Sequence, residues 1–178
     1  MRVILVFVSS LDGKVTKWDD PFVRSWSSQE DQAYFSRIWN DSRLIVMGSS
    51  TFNSDPLRST PERLVVVMTR NPEEYEKYMV PGHLEFTAET PAKLTSRLKQ
   101  EGYDQMLLVG GPLVAASFLK EKLVNELWLT IEPKIFGTGK NIITGEKLDI
   151  ELQLRSCERV NNYGTLITRY DVLSYRDA

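Results

Sequence analysis

Four short, unbroken apolar runs are the feature that most limits what this chain can fold into. They cover residues 3–8, 44–47, 64–68 and 106–109, and they are rich in Val, Ile and Leu without alternating with polar residues. Strands of a parallel sheet have this pattern when helices cover both faces of the sheet. The runs therefore predict an α/β fold with a mostly parallel central sheet and helices on both of its faces.

Helices are predicted between these runs, and each of the three longer ones begins with a known N-terminal signal. Ser27 and Glu30 stand in capping-box spacing before the first, a Thr-Pro pair precedes the second, and a proline precedes the third. The predicted bounds are residues 28–40, 92–100 and 113–122, with a further short helix after Gly48.

The last third of the chain changes in character. Residues 127–131, 151–160 and 165–173 have strand-like sequences, and a strong turn signal at residues 161–164 separates the last two. We therefore expect the sheet to finish with a C-terminal antiparallel hairpin.

Composition excludes several classes of function. The 178 residues fit a single domain, residues 1–178, and the formal net charge of -2 gives no basic footprint for nucleic acid and no polybasic patch for a membrane. Cys157 and His83 are the only cysteine and histidine, so an internal disulfide is impossible and a multi-His zinc site or a Ser-His-Asp triad is nearly excluded. We expect no metal, a reducing cytoplasmic location, and chemistry performed by a cofactor.

The first loop leaves the carboxyl end of the first predicted strand, where open α/β sheets bind ligands. Gly13 permits a tight turn, and Lys14 is placed to meet a phosphate or a polar edge of a substrate. The alternative is an Asp-Gly turn with a solvated lysine.

The end of the second predicted strand carries Gly48, followed by Ser49, Ser50 and Thr51. Free N–H groups and the positive end of a helix at this point favour a phosphate. The G-x-G-x-x-G spacing of a Rossmann fingerprint is missing, and an N-capping cluster is the alternative explanation.

Two more strand ends are candidates for cofactor binding. Thr69 and Arg70 follow the third strand, where an arginine can hold the 2′-phosphate of NADPH, although a surface arginine would look the same. Gly110 and Gly111 follow the fourth strand, and their bare backbone lets a flat ligand or a pyrophosphate approach. This pair is the most specific of the glycine signals, although a strand-to-helix turn alone can require one glycine.

Asp31 is the candidate for substrate chemistry. On the predicted helix it shares one side with Tyr34, Phe35 and Ile38, so a carboxylate stands in an apolar stripe. Burial raises the pKa of such a carboxyl, which makes it a candidate proton donor or a clamp for the N–H groups of a heterocycle. The alternative is a first-turn Asp that interacts with the helix N-terminus.

Several motifs in order along the chain carry a family resemblance. They are the S-L-D-G-K stretch at residues 10–14, the stretch from Gly48 to Thr51 followed by Asp55-Pro56, the glycines of residues 109–111, and residues 123–127 and 132–137. Over nearly its whole length the chain resembles the dihydrofolate reductase superfamily. It is most similar to the reductase domain of the riboflavin-biosynthesis deaminase–reductase proteins, with their S-x-D-G-K, G-x-x-T…D-P and GG…LVDEL…PKxxG patterns.

That resemblance implies a homodimeric, NADPH-dependent reductase whose substrate is a ribosylamino-pyrimidine phosphate, reduced from ribosyl to ribityl. It places Lys14 and Arg58 at the substrate. The residues that it assigns to the cofactor site are Gly48, Ser49, Ser50, Thr51, Asp55, Thr69, Arg70, Gly110, Gly111, Pro112, Leu113 and Val114.

Three departures from the riboflavin enzymes all concern the substrate side. Val109 stands where those enzymes usually carry an acidic residue, Trp39 stands where an arginine helps to hold the substrate phosphate, and the order after Asp55-Pro56 is altered to Leu57-Arg58. The substrate can therefore differ from the riboflavin intermediate. A protein that binds NADP without turnover stays an alternative.

A second resemblance concerns the substrate side. Trp26, Asp31 and Phe35, followed by Met47-Gly48 and Thr51-Phe52, are similar to the W-x-x-x-x-D-x-x-x-F…MGRxTW run of true dihydrofolate reductases, although Ser49 replaces the arginine. In that family the helix carboxylate binds the pterin and a threonine on a later strand pairs with it. The match implies Asp31 and Thr130 as catalytic residues, with Phe35 beside the substrate.

We expect NADPH to lie across the carboxyl ends of the strands, with a small-molecule substrate between the first loop and the helix of residues 28–40. Reduction of dihydrofolate or another pterin is the alternative enzymatic function. A flavodoxin-like module, weakly allowed by the hydroxyl-rich loop after the second strand, is a further alternative.

Overall fold

The structure is a computed structural model that describes residues 1–54 and 62–176. Its strands are β1 (Arg2–Ser10), β2 (Leu44–Gly48), β3 (Leu64–Met68), β4 (Leu84–Thr87), β5 (Gln105–Leu108), β6 (Glu126–Glu132), β7 (Asp149–Arg159) and β8 (Leu166–Arg176). Its α-helices are α1 (Gln29–Asn40), α2 (Ser49–Ser54), α3 (Pro91–Gln100) and α4 (Pro112–Lys120), with 3₁₀ turns at Val23–Ser25 and Pro72–Tyr78.

The eight strands form one sheet in the order β4-β3-β2-β5-β1-β6-β8-β7. All pairs from β4 to β6 are parallel, whereas β8 is antiparallel to β6 and β7 is antiparallel to β8. The predicted architecture, a mostly parallel sheet that ends in an antiparallel hairpin, is confirmed.

Alternate residues of the central strands pack on opposite faces of the sheet. Val3 and Leu5 belong to the core that α3 and α4 cover, whereas Ile4 and Val6 belong to the core beneath α1 and α2. The four apolar runs lack polar residues because both of their faces are buried. The prediction of helices on both faces is confirmed as well.

Two local features differ from the sequence-based expectation. Strand β4 was not predicted, since only Leu84 and Phe86 of its four residues are buried and the run is too short to show a period. The first helix is capped by Ser28, whose Oγ accepts from the Asp31 N–H at 3.2 Å, one residue later than the predicted Ser27 and Glu30 pair. The cap therefore places Asp31 in the first turn.

The predicted hairpin turn is held by one side chain. Asn161 Oδ1 accepts from the backbone N–H groups of Tyr163, Gly164 and Thr165 at 3.0–3.1 Å. The turn joins β7 and β8, and β7 forms an exposed edge of the sheet. None of the helices among residues 1–54 and 62–176 is both long enough and apolar enough to cross a membrane.

Candidate active site

Three glycines bring the ends of β2 and β5 into close contact. The Gly48 N–H donates to the Gly110 carbonyl at 2.9 Å, and a Cβ at Gly48 would lie 2.9 Å from Val114 Cγ2 and 3.6 Å from the Gly111 nitrogen. Both strands end at the carboxyl edge of the parallel sheet, where helices α2 and α4 begin. We call this surface, formed by Gly48, Gly110 and Gly111, the glycine cradle.

Only glycine fits the central position of the cradle. Gly110 has a φ of +88°, which side chains rarely adopt, and a Cβ there would lie 2.9 Å from Phe7 Cε1. The Gly110–Gly111 peptide bond is cis. Gly111 precedes α4 and offers no side-chain cap, so the first N–H groups of that helix are available to an anion.

The hydroxyl residues predicted for the cofactor lie beside the cradle. Ser49, Ser50 and Thr51 form the first turn of α2, and a Cβ at Gly111 would lie 3.4 Å from Thr51 Oγ1. Pro112 begins α4, the exposed Leu113 follows, and Val114 contacts Gly48. The structure therefore brings these predicted positions together on one edge.

Thr69 and Arg70 follow β3, the neighbour of β2, on the same edge of the sheet. The Thr69 N–H donates to the Thr87 carbonyl at 2.9 Å, and Thr69 Oγ1 accepts from the Asn71 N–H at 3.3 Å. Arg70 is exposed. Two other predicted site residues, Asp55 and Arg58, lie outside the described residues.

Asp31 is buried at the N-terminal end of α1, with only 5% of its surface exposed. Burial raises the pKa of its carboxyl to about 6, hydrogen bonding to the hydroxyls of Thr130 and Ser27 opposes the rise, and the nearby Glu132 carboxylate adds to it. Both sequence-based descriptions therefore hold, since Asp31 is a first-turn residue and also a buried acid. A carboxyl with this pKa exchanges its proton near neutral pH.

Thr130 is the strand partner predicted for Asp31. It lies in β6, pairs with Val8 of β1 in register, and is 2% exposed. The structure places its hydroxyl beside the Asp31 carboxyl. The pair is brought together, whereas its catalytic role stays a prediction.

Glu132 is a residue of this site that sequence reasoning missed. It is 1% exposed, and its carboxylate accepts from the Ser28 N–H at 2.7 Å and from Thr165 Oγ1 at 2.9 Å. Its position in a Glu-Pro-Lys stretch was interpreted only as a family motif. The alternation of β6 was the available signal, because Thr130 and Glu132 are two apart and share a face.

Trp26 Nε1 is a buried donor without a hydrogen-bond partner in the described part of the chain. The Trp26 ring packs edge-on against Phe136 at 5.1 Å, and Lys134 Nζ donates to the Trp26 carbonyl. An unpaired buried donor is costly, so Trp26 Nε1 suits a ligand that supplies an acceptor.

The first loop is tied to the loop that follows β6. Asp12 accepts from the backbone N–H groups of Phe136 and Gly137 at 3.2 and 2.8 Å, and hydrogen bonds, first of all from Ser10, lower its pKa to about 2. Lys14 Nζ donates to Asn141 Oδ1 at 2.6 Å. The structure thus gives Lys14 a protein partner, and its predicted contact with substrate requires that bond to open or be shared.

The remaining substrate-side predictions fall at different distances from Asp31. Phe35 is half-buried one turn farther along α1 and packs against Trp39, with ring centroids 5.8 Å apart. Trp39 lies eight residues beyond Asp31, about 12 Å along the helix axis. It therefore lies at the end of α1 that is farther from Asp31. Val109 follows β5 directly and packs with the core beneath α1.

The arrangement suits a dinucleotide cofactor. The α4 N-terminus, where Gly111 provides no side-chain cap, and the Thr51 hydroxyl beside it suit the phosphates of such a cofactor. The buried Asp31 in the first turn of α1 can hold a proton or accept from a ring N–H.

Comparisons with known proteins identify relatives of this chain and its fold. A curated relative, the uncharacterized protein YwjB of Bacillus subtilis, is 26% identical over 144 residues, which cover 78% of this chain and 80% of YwjB. A putative riboflavin biosynthesis protein from Shewanella sp. PV-4 superposes with a TM-score of 0.78 at 19% identity, covering 98% of this chain and 100% of the other.

Two other solved structures share the fold. The Thermotoga maritima diaminohydroxyphosphoribosylaminopyrimidine deaminase/5-amino-6-(5-phosphoribosylamino)uracil reductase has a TM-score of 0.75 at 17% identity, covering 97% of this chain and 56% of that one. Enterococcus faecalis dihydrofolate reductase, solved with NADP(H), has a TM-score of 0.64 at 16% identity, covering 97% of each chain. The fold is dihydrofolate-reductase-like.

The family model of the RibD C-terminal domain matches residues 1–165. This match covers the whole parallel sheet, the glycine cradle and the Asp31–Thr130 pair. The chain therefore belongs to the RibD C-terminal domain family.

Proposed function

We propose that this chain is an NADPH-dependent reductase of the riboflavin-biosynthesis type, acting on a small N-heterocyclic substrate such as a ribosylamino-pyrimidine. One observation carries the proposal: the glycine cradle and the buried Asp31–Thr130 pair lie at the same edge of one sheet. Membership of the RibD C-terminal domain family supports a reductase, and the reductase named in the Thermotoga maritima structure supports this substrate class.

The cofactor side of the proposal rests on the cradle. Gly111 leaves the N-terminus of α4 without a side-chain cap, and the first N–H groups of α4 bind phosphate oxygens. Thr51 adds a hydroxyl, and Arg70 supplies the cation that the 2′-phosphate of NADPH requires. NADPH, when bound, supplies the hydride.

The substrate side of the proposal rests on Asp31. Its pKa of about 6 leaves the carboxyl mostly ionised at pH 7 but able to take up a proton. The Thr130 hydroxyl orients the carboxyl, and Phe35 one turn away offers an apolar surface to a ring. We propose that Asp31 binds ring N–H groups and manages the proton that accompanies hydride transfer.

Pterin reduction is a second candidate, and the chemistry of the Asp31–Thr130 pair favours it. An ionised carboxylate accepts two hydrogen bonds side by side, and the amino-pyrimidine edge of a pterin offers two adjacent N–H donors. A uracil ring separates its N–H groups by a carbonyl. The two candidates therefore differ in how well they fit the same buried acid.

The test begins with titrations of NADPH and NADH into the protein, measured by calorimetry. We expect NADPH to bind more tightly, because Arg70 favours the extra phosphate. Oxidation of NADPH is then followed by absorbance with dihydrofolate, other dihydropterins and ribosylamino-pyrimidine phosphates. Turnover of the last class supports the first candidate, and turnover of dihydropterins supports the second.

Three outcomes would contradict parts of this proposal. NADPH binding without oxidation across the whole substrate panel favours a non-catalytic NADP-binding protein. A yellow purified protein that binds flavin instead of NADPH favours a flavin module. A turned-over substrate whose rate is unchanged in Asp31→Asn removes Asp31 from the mechanism.

Assembly and location belong to the same proposal. We propose a cytoplasmic homodimer, as expected for this family, and the exposed edge strand β7 with Leu152 and Leu154 at its surface offers one face for pairing. Analytical ultracentrifugation of the purified chain tests the dimer. A single sedimenting species with the mass of one chain would contradict it.

A further inference from the structure

A cavity lies between α1 and the β7–β8 hairpin. Its volume is about 450 Å³, which is within the range of small-molecule sites. Residues 30, 33, 34 and 37 of α1 line it on one side, and alternate residues of both strands line it on the other. Both spacings are those of a single face, because a helix repeats every three to four residues and a strand every two.

This cavity is separate from the candidate active site. The α1 residues that line it are centred about 110° around the helix from Asp31 at 100° per residue, and Asp31 itself does not line it. No residue of the glycine cradle lines it either. Its position gives it no part in the proposed hydride transfer.

Two guanidinium groups flank one buried tyrosine in this cavity. Arg37 Cζ and Arg169 Cζ lie 5.7 and 5.8 Å from the centre of the Tyr34 ring, and Arg169 also stacks over Trp128 at 4.2 Å. Neither arginine forms an ion pair with any residue of the described ranges 1–54 and 62–176. Two unneutralised cations on one ring repel each other, and an anion between them would relieve that repulsion.

The Tyr34 hydroxyl is a second observation that points to a ligand in this cavity. Tyr34 lines the cavity and is 6% exposed, and the Arg169 guanidinium lies near its Oη, yet no described residue accepts a hydrogen bond from the hydroxyl. A buried O–H group without an acceptor is costly unless something else satisfies it. An oxyanion that accepts from Tyr34 and both arginines would satisfy all three groups.

The opposite end of the cavity is acidic. Glu30 lies seven residues before Arg37, about 10 Å away along the helix axis. Glu158 pairs with Ile167 in the hairpin, whereas the strand neighbour of Arg169 is Ser156. Helix α1 and the hairpin therefore both place a glutamate at one end of the cavity and an arginine at the other. The acidic end disfavours a second negative group on a ligand.

We propose that this cavity is a second ligand site for a small metabolite that carries one phosphate or carboxylate group. That group lies between Arg37 and Arg169 and accepts from the Tyr34 hydroxyl. An amine or another hydrogen-bond donor of the same molecule lies towards Glu30 and Glu158.

Calorimetry on the purified chain tests the site with four probes. Phosphoethanolamine carries a phosphate and an ammonium, inorganic phosphate carries the oxyanion alone, and phosphoglycolate carries a carboxylate in place of the ammonium. β-Alanine replaces the phosphate of the first probe by a carboxylate, so its affinity relative to phosphoethanolamine identifies the preferred oxyanion. We expect phosphoethanolamine to bind more tightly than phosphate, and phosphate more tightly than phosphoglycolate.

The variants separate this site from diffuse attraction and from the cradle. Arg169→Gln is expected to weaken phosphoethanolamine binding about tenfold or more, because it removes a charge-assisted hydrogen bond. Arg159→Gln is the matched control. It removes the same charge from β7, but Arg159 is next to Glu158 in the strand and therefore points to the opposite face, away from the cavity. Tyr34→Phe is expected to weaken binding while leaving thermal stability nearly unchanged, because no described residue accepts a hydrogen bond from the hydroxyl that it removes.

Three results would overturn the proposal. The first is the absence of heat with all four probes, and the second is an equal loss of affinity in Arg159→Gln and Arg169→Gln. The third is binding whose affinity Arg169→Gln does not change, which would indicate binding elsewhere, for example at the glycine cradle. Should Arg169→Gln fail to fold, Arg37→Gln removes the other, exposed guanidinium and must give the same loss. None of these measurements depends on NADPH, so failure of the proposed reductase activity leaves them informative.

Discussion

Glu132 accepts a hydrogen bond from the Ser28 N–H at 2.7 Å, and this bond fastens the end of β6 to the N-cap of α1. Thr130, two residues earlier on the same face of β6, contacts the Asp31 carboxyl in the first turn of that helix. One strand therefore positions the helix that carries the acid and also touches the acid itself. The Glu132 carboxylate has a second effect, since its charge raises the pKa of Asp31.

Glu132→Gln separates the positioning effect of this residue from its charge. The amide oxygen can still accept from Ser28, and the Thr165 hydroxyl can become the acceptor for the new N–H group. With the charge gone, we expect the pKa of Asp31 to fall, and the pH dependence of turnover to shift to lower pH. Carboxyl-carbon NMR titration of Asp31 measures the shift directly.

Glu30→Gln is the control for that experiment, because Glu30 is an exposed carboxylate in the same helical turn. It should leave the titration of Asp31 nearly unchanged. Identical titration curves for the Glu132→Gln variant and the unmodified chain would show that the two carboxyls are not coupled.

Asp31→Asn is expected to stabilise the protein at high pH. Because the folded-state pKa of about 6 exceeds the ordinary aspartate pKa of 3.8, the folded chain binds more protons than the unfolded chain between these values. Stability therefore falls as the pH rises through this window, by roughly 3 kcal/mol at most. Asparagine avoids the loss, so the variant should be more stable at pH 8, with the advantage fading as the pH falls from about 6 to about 4.

Urea unfolding of both proteins from pH 4 to pH 8 measures this difference. Asp41→Asn, at the exposed C-terminal cap of the same helix, controls for the change in net charge. An advantage of Asp31→Asn that is constant across the whole range would contradict an origin in the titration of Asp31.

The sequence predicted most of the fold because the central strands are buried on both faces. Residues 64–68, for example, match β3 at both ends, since no polar residue interrupts the apolar run. Strand β4 was not predicted because it has only two buried side chains. It forms by pairing with β3, a separate segment of the chain, and its own sequence does not show this pairing. Local patterns identify elements with a strong period, whereas short edge strands depend on their neighbours.

The site divides in the same way. Gly48, Gly110 and Asp31 were recognisable because each breaks a local pattern at a strand end or on a helix face. Glu132 is marked only by its alternation with Thr130 along β6, and its role arises from a bond to Ser28 across 104 residues. The cavity beside Tyr34 depends on three elements at once and could not be read from any single motif.

Gly48→Ala tests the closeness of the glycine cradle. The added Cβ would lie 2.9 Å from Val114 Cγ2, so Val114 and the start of α4 must shift. We expect a loss of about 1–3 kcal/mol in the free energy of unfolding and weaker NADPH binding. Thermal or urea unfolding and NADPH titration measure the two effects.

The double variant Gly48→Ala with Val114→Ala is the matched control, because removing the valine methyl groups makes room for the new Cβ. It should recover part of the stability and of the NADPH affinity relative to Gly48→Ala. If it recovers neither, the close packing of these two residues is not the reason for the glycine.

Thr130→Val is expected to act on Asp31 in the direction opposite to Glu132→Gln. Valine keeps the shape of threonine but removes the hydroxyl, whose hydrogen bond lowers the pKa of Asp31. The pKa of Asp31 should therefore rise and the pH dependence of turnover move to higher pH, while NADPH affinity stays unchanged because the cradle is untouched.

Thr168→Val is the control, since Thr168 is equally buried in the neighbouring strand but donates to the Leu129 carbonyl. Opposite shifts in Thr130→Val and Glu132→Gln, with no shift in Thr168→Val, would identify Asp31 as the titrating group. Shifts of both variants in the same direction would contradict that assignment.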